Sequence, residues 1–258
     1  MTGASSGIGR AVAVAFAEEG ARLYLTAHPN DEEELAALAR EIDAVAFKSQ
    51  DLAVPDAATA IVTDALQTGQ RVDVLVSHAG FAYVEDARDV SQEHWDRLMA
   101  VNVRTGFFLA TAFAAHVEER GGGRRHRLHI EYECVSTGAL ARPIQRVKGG
   151  NQLVDAITGS RPCPLRIRVN AVLPGMAYTR QTAELFAATE FDHHFRRVIP
   201  LGRPAQPEEL APAYVFLASE EAGYITGACL PVDGGLSISI PWPEVDVSYS
   251  AHAQQERG

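Results

Sequence analysis

The 258-residue sequence is poor in cysteine and methionine, with three of each, and in tryptophan, with two. Cys134, Cys163 and Cys229 are odd in number and far apart, which excludes a disulfide framework and a Cys-x-x-Cys metal site and predicts a reducing, cytoplasmic setting. No run approaches the roughly 18 consecutive apolar residues of a membrane helix, so no bilayer span is expected. Cationic side chains are also scarce: 23 Lys and Arg stand against 33 Asp and Glu, a formal charge of −10. Arg124-Arg125-His126-Arg127 is too short a basic patch to track phosphates, which excludes nucleic acid as a partner. The apolar stretch from Ala11 to Ala17 runs into Glu18-Glu19-Gly20 without a cleavage site, and reads as a helix rather than a signal peptide.

What the sequence does hold is core-forming material, 47% hydrophobic residues, enough for a globular domain. Arg22 to Thr26, Val45 to Phe47, Val72 to Ser77 and Ile167 to Leu173 read as short buried strands. Helical periodicity covers Gly9 to Glu18, Asp31 to Ile42, Asp56 to Gln67, His94 to His116 and Pro207 to Ala218. The alternation predicts an α/β fold, a Rossmann-like doubly wound parallel sheet with helices on both faces, as a single domain over residues 1–238. Residues 239–258 lose all periodicity and read as a C-terminal extension; packing of Trp242 and Tyr249 on a neighbouring subunit is the alternative.

Thr2-Gly3-Ala4-Ser5-Ser6-Gly7-Ile8-Gly9 leads directly into an amphipathic helix. Glycines there let a backbone approach a pyrophosphate, which the free N–H groups and dipole of a helix N-terminus favour. In order along the chain follow Asp51-Leu52, Ser77-His78-Ala79-Gly80, Val101-Asn102-Val103, Arg168 to Gly175 with Thr179, Gly202-Arg203-Pro204, Ile225-Thr226-Gly227 and Val232-Asp233-Gly234-Gly235. Together these motifs resemble the short-chain dehydrogenase/reductase family, in particular its ketoreductase-like members, over nearly the whole chain. The resemblance implies an NAD(P)-dependent oxidoreductase that moves a hydride between nicotinamide and a ketone or secondary alcohol, in a homo-oligomer. It assigns the cofactor to Gly3, Ser5, Gly7, Ile8, Gly9, His28, Asp51, Leu52, His78, Ala79, Gly80, Pro174, Gly175 and Thr179, and a proton-relay water to Asn102. His78 departs from the family's usual Asn and by itself reads as structural. Cofactor choice leans to NADP over NAD: Ala27 replaces the acid that would hold the ribose hydroxyls, and His28 stands where NADP-dependent relatives often carry Arg. Ser6 replaces a basic residue found in the glycine turn of some of them.

Two departures stand out. The chain begins at Met1-Thr2-Gly3, so most of the family's first strand is missing, which is expected of a start codon assigned too late. Residues 124–164 also hold no Ser followed by Tyr-x-x-x-Lys. Alignment on the flanks puts Glu131 at the Ser position, Ile144 at the Tyr position and Lys148 at the Lys position. Reading the same stretch one frame away, with free synonymous choice, permits a good family sequence, including Ser and Tyr thirteen positions apart as Glu131 and Ile144 are. Compensating frameshifts near Gly123 and Leu165 are therefore expected. With Gly149, Gly150 and Arg161-Pro162 in a region that should form a helix, poor folding of 124–164 follows. The catalytic Ser-Tyr-Lys group is lost, and the alternatives are a non-catalytic dinucleotide-binding protein or the non-functional product of a damaged gene. Phe186, Phe191 and His193-His194 lie where the substrate pocket is expected but identify no substrate. The paired histidines read as a solvated helix turn, with no metal.

Overall fold

The computed structural model of the chain describes residues 1–69, 71–83, 85–86, 88–119, 127–129 and 167–239. Three parallel strand pairs organise it. β1 (Tyr24–Ala27) pairs with β2 (Ala46–Ser49), β3 (Val74–Val76) with β4 (Arg127–His129), and β5 (Ala171–Pro174) with β6 (Cys229–Val232). Thr2 bridges in parallel to Thr26 on one side and to Ser77 on the other. The order is thus β2, β1, Thr2, β3, β4, with one residue between β1 and β3 where the two pairs join.

Parallel pairing demands crossovers, and helices supply them. They are α1 (Gly7–Glu18), α2 (Glu32–Glu41), α3 (Ala57–Gly69), α4 (Gln92–Met99), α5 (Thr105–Glu119), α6 (Ala183–Ala187), α7 (Thr189–Val198) and α8 (Pro207–Ala218). Side chains alternate across the strands and sort the helices onto two faces. Leu25 and Ala27 of β1 pack with Ala13 of α1 and with Leu35 and Leu38 of α2. Val76 and Val172 join Val12 and Phe16 of α1 and Tyr214 and Leu217 of α8 on the same side. Leu75, next in sequence to Val76, points the opposite way into Ile61 and Val62 of α3 and Leu109, Phe113 and Val117 of α5. The expected α/β fold with helices on both faces is the observed one.

Local boundaries differ from expectation in two places. The helix expected from His94 to His116 starts at Gln92, where the Ser91 hydroxyl caps it by accepting from the His94 N–H at 3.0 Å. It is then interrupted by a π turn at Ala100–Arg104. Tertiary hydrogen bonds accompany the interruption: the Thr105 hydroxyl donates to Leu52 O at 2.8 Å and back to Ala100 O at 2.9 Å. Counted through the turn, Gln92–Glu119 is 28 residues long and contains an 18-residue window of mean hydropathy 1.4, long and apolar enough to cross a membrane. Its buried Leu98, Leu109, Phe113 and Val117 make it a core helix instead. Second, β4 and β6 were not expected as strands. Beyond β6, Leu236–Ile238 forms a short 3₁₀ turn; the residues after Ser239 lie outside the described ones.

Two features of the ends bear on stability. The Met1 amino group donates to Tyr24 O at 2.8 Å, Thr26 N to Met1 O at 2.9 Å, and Thr2 N to Val76 O at 3.0 Å. Burial lowers that amino group from its ordinary 8.0 to about 5. Beside it, between the starts of β1 and β3, lies a cavity of about 620 Å³ lined by Phe16, Leu23, Tyr24, Val45, Val72 and Val74 among others. At the other end of the chain, the Arg168 guanidinium donates to Leu217 O at 2.7 Å and Ser219 O at 3.1 Å. The Asn170 amide donates to Ile225 O at 3.1 Å and accepts from Ala228 N at 3.1 Å. These bonds tie the C-terminus of α8 and the approach to β6 onto β5.

Candidate functional site: a dinucleotide cleft

A cleft of about 730 Å³ opens beyond the carboxyl ends of β1, β2 and β3, against the N-terminus of α1. In an open parallel sheet this is where ligands sit. Its floor is the turn before α1. Gly3 has φ +69°, and a Cβ there would stand 2.8 Å from the Ala79 backbone, so only glycine lets the two turns touch. They are joined by the Thr2 hydroxyl, which accepts from His78 N and Ala79 N, each at 3.1 Å. Ser6, Gly7 and Ile8 line the cleft, the Ser6 side chain makes no cap bond, and no acidic residue occupies the first turn of α1. The unpaired N–H groups of that turn are thereby left for an anion.

At the far end the cleft is charged. Both terminal nitrogens of Arg97 on α4 lie 3.2 Å from Asp51 Oδ2, and one of them is 3.4 Å from His28 Nε2. Burial pushes the Asp51 carboxyl up; the Ala53 N–H, the Arg97 guanidinium and the His28 charge outweigh it and hold Asp51 below the usual carboxylate range. At the mouth, Arg180 donates to Asp31 Oδ1 at 2.6 Å and lies 3.6 Å from Glu34. Ser5 Oγ donates to the other Asp31 oxygen at 3.4 Å.

The structure brings most of the expected cofactor residues together: Gly3, Ser5, Gly7, Ile8, His28, Asp51, Leu52, His78, Ala79, Gly80 and Thr179 all line this one cleft. Gly9, Pro174 and Gly175 are not among its lining residues. A Cβ on Gly9 would meet Gly3 O at 1.9 Å, and one on Gly175 would meet Asp233 Cα at 2.6 Å, so both glycines serve close backbone packing behind the wall. Pro174 ends β5. Asn102 is buried in the π turn, with Oδ1 accepting from Phe81 N at 3.0 Å and Nδ2 donating to Phe81 O at 2.7 Å. Its amide is committed to the wall after β3, and its neighbour Val101 reaches the cleft. Glu131, Ile144 and Lys148 lie outside the described residues. Sequence reasoning missed Asp31, Arg97 and Arg180; the spacing of Arg97, one helical turn before Val101, was the available signal. Past Thr179, Tyr178, Phe186, Phe191 and Phe195 stack on one another with centroids 4.7–6.2 Å apart, while His193 and His194 are exposed on α7.

The role of Asn102 yields a first expected result. Asn102→Ala removes both ends of the Phe81 clamp and leaves a half-buried N–H and C=O without that partner. The stability loss is about 2 kcal/mol, readable by urea unfolding, and dinucleotide affinity falls with it because Phe81 lines the cleft.

A parallel sheet, a glycine turn packed onto a helix N-terminus and a charged pocket at the strand ends define a dinucleotide-binding α/β protein. A family profile described as "Enoyl-(Acyl carrier protein) reductase" matches residues 3–237. Among curated relatives, L-rhamnose 1-dehydrogenase (NAD(P)(+)) of Azotobacter vinelandii is 32% identical, over 93% of this chain and 96% of its own. Galactitol 2-dehydrogenase (L-tagatose-forming) of Cereibacter sphaeroides is 34% identical, over 92% and 94%. A solved structure from Beutenbergia cavernae, provisionally described as an NAD(P)-dependent gluconate 5-dehydrogenase and holding NADP at low occupancy, is 31% identical. It superposes with a TM-score of 0.78 over 93% of this chain and 96% of that one. The chain belongs to the short-chain dehydrogenase/reductase family, whose members are NAD(P)-dependent oxidoreductases.

Proposed function

We propose that this chain binds NADP in preference to NAD in the cleft, and that its oxidoreductase chemistry, hydride exchange with a small ketone or secondary alcohol, is lost with the family's Ser-Tyr pair. The observation that carries the binding half is the floor of the cleft, where a glycine-only backbone contact sets the open N-terminus of α1 against the turn after β3. The groups present fit a dinucleotide. The turn from Gly3 to Ile8 would hold the pyrophosphate, Asp51 and Leu52 the adenine, His28 the ribose end, and Thr179 the nicotinamide side. The bound cofactor supplies or accepts the hydride. The chain's own task is to deliver a proton to the carbonyl oxygen, and at the position where the family resemblance requires a tyrosine it carries Ile144, which has none to give. Lys148 remains but has no phenol to activate, and neither Glu131 nor Tyr132 replaces the serine. Proton delivery fails even with a bound cofactor.

The same reading includes a cytoplasmic homo-oligomer with no nucleic-acid, membrane or metal partner. Residues 124–164 are then a stretch translated one frame away. Calorimetric titration of the chain with NADPH and NADH tests the binding half, and a panel of ketones and polyols tests the chemical half. Tighter binding of NADPH without turnover is the expected outcome. Turnover above the no-enzyme rate overturns the loss of chemistry, and binding of neither nucleotide overturns the whole reading. Resequencing the coding DNA from upstream of Met1 through Asn170 tests the frame directly.

A further inference from the structure

We infer that residues 178–181 form a strap over the dinucleotide cleft, latched by Arg180 to Asp31 and Glu34, and that nucleotide exchange waits on its unlatching. This rests on the proposed nucleotide binding and adds a regulation of the same site. The latch joins the loop after β5 to the segment between β1 and α2, and Asp31 and Arg180 both line the cleft. One Arg180 terminal nitrogen donates to Asp31 Oδ1 at 2.6 Å, and the other lies 3.6 Å from Glu34 Oε1. Both ends of the link touch the glycine turn. Ser5 Oγ donates to Asp31 Oδ2 at 3.4 Å, and a Cβ on Gly7 would stand 3.2 Å from Thr179 Cγ2. The link therefore passes over the N-terminus of α1, the place proposed for the pyrophosphate.

The two sides of the latch are anchored unequally. On the α2 side, Leu35 and Leu38 are buried in the core, and Arg10 of α1 holds Glu41 through two bonds of 2.8 and 2.6 Å. On the other side, Tyr178 N donates to Ala205 O at 2.9 Å. The Thr182 hydroxyl donates to Ala177 O at 2.6 Å and accepts from Thr179 N at 2.9 Å. These bonds make a stiff turn with Arg180 at its tip. Beyond the turn, α6 and α7 bury none of their residues, so little apolar packing restrains it as a unit. It also has room to move. A second cavity of about 700 Å³ is lined by Gly7, Arg10, Thr179, Arg180 and Phe186 among others. Thr179 and Arg180 line both spaces and so stand as the partition between them; movement of the strap into the second cavity opens the first. The Arg180 and Glu34 side chains are 58% and 49% exposed, so water competes for the latch and it opens readily. A latch of that strength, made whether or not nucleotide lies beneath it, sets a rate of exchange and leaves affinity nearly unchanged.

The test follows NADPH binding and release by stopped-flow fluorescence, with NADP as the displacing chase, in the full chain and in two variants that change the local charge in opposite directions. Arg180→Gln removes the cation, and Asp31→Asn combined with Glu34→Gln removes both carboxylates, so each breaks the latch. Association and release are both expected to be about 3-fold faster in each variant, with Kd within about 2-fold of the unsubstituted chain, which also checks folding. Release from the unsubstituted chain is expected to quicken as NaCl rises from about 50 to about 500 mM, and release from the variants to respond less. Faster release with a matching loss of affinity marks a direct contact with the nucleotide and overturns the strap. Association shifted in opposite directions by the two variants, with release unchanged, marks charge steering at the mouth and overturns it too. Unchanged rates do the same. Failure of the unsubstituted chain to bind NADPH overturns the underlying dinucleotide reading instead.

Discussion

Gly9→Ala is expected to abolish dinucleotide binding and to destabilise the fold by on the order of 3 kcal/mol, a large part of the 5–15 kcal/mol that holds a domain together. The sign runs against propensity, because alanine inside a helix ordinarily gains about 1 kcal/mol over glycine. What inverts it is contact: the new Cβ would stand 1.9 Å from Gly3 O and 2.8 Å from the His78 ring. The carbonyl is backbone and belongs to the turn that forms the floor of the cleft, so relief requires either α1 or that turn to move. α1 cannot easily retreat, since Ile8, Val12 and Phe16 are packed into one core cluster with α8. The turn must therefore yield, and the cleft with it. Gly69→Ala provides the contrast, because nothing lies within 4 Å of the Cβ it would add. Thermal melts and NADPH titration of the two variants read the difference: loss of both properties for Gly9→Ala, and neither for Gly69→Ala.

In a polypeptide whose first residue is Met1, the second large effect is a rise in stability between pH 5 and pH 8. The Met1 amino group titrates at about 5 in the folded chain against 8.0 in the open one, because burial disfavours its cation. Between those values the unfolded state binds more protons than the folded state, so stability climbs with pH across the window and is lost as pH falls through it. Three units correspond to on the order of 4 kcal/mol. Asp51 and Glu209 have folded values below the ordinary carboxylate range, so they contribute their dependence further down the pH scale, and the two slopes separate. Urea unfolding of the 258-residue chain at half-unit steps from pH 5 to 8.5 measures the climb. Fusing four apolar residues ahead of Met1 replaces the amine with a peptide N–H and offers side chains to the adjoining cavity. That variant is expected to flatten the profile and raise the melting temperature. A flat profile in the unextended chain would place the amino group in water.

The fold was legible where its signals are local. β1, β2, β3 and β5 are short apolar runs, and α1, α2, α3 and α8 carry an apolar stripe and appear within two residues of their expected bounds. β4 was hidden because Arg127-Leu128-His129 has no apolar run, and β6 because Pro231 interrupts it. The break between α4 and α5 was illegible for a different reason. It coincides with bonds from Thr105 to Leu52 and from Asn102 to Phe81, 53 and 21 residues away in sequence, and no helical periodicity encodes such distances. The site divides the same way. A glycine turn entering a helix is contiguous and was read directly, whereas the pairing of Asp31 with Arg180 spans 149 residues. Gly9 and Gly175 were assigned to the ligand because a sequence motif does not say whether a glycine makes room for a nucleotide or for a neighbouring strand.

The bonds that Arg168 and Asn170 make to Leu217, Ser219, Ile225 and Ala228 have a consequence for how this molecule tolerates damage. They are closed within the last third of the domain, and α8 completes its burial against α1, the helix that carries the nucleotide turn. The wall that would hold a cofactor is thus a cooperative unit assembled from residues near the start of the chain and from the described residues after 167. Amide exchange would show it as one slow block spanning residues 8–16 and 210–217, so that a change in either segment loosens the same wall.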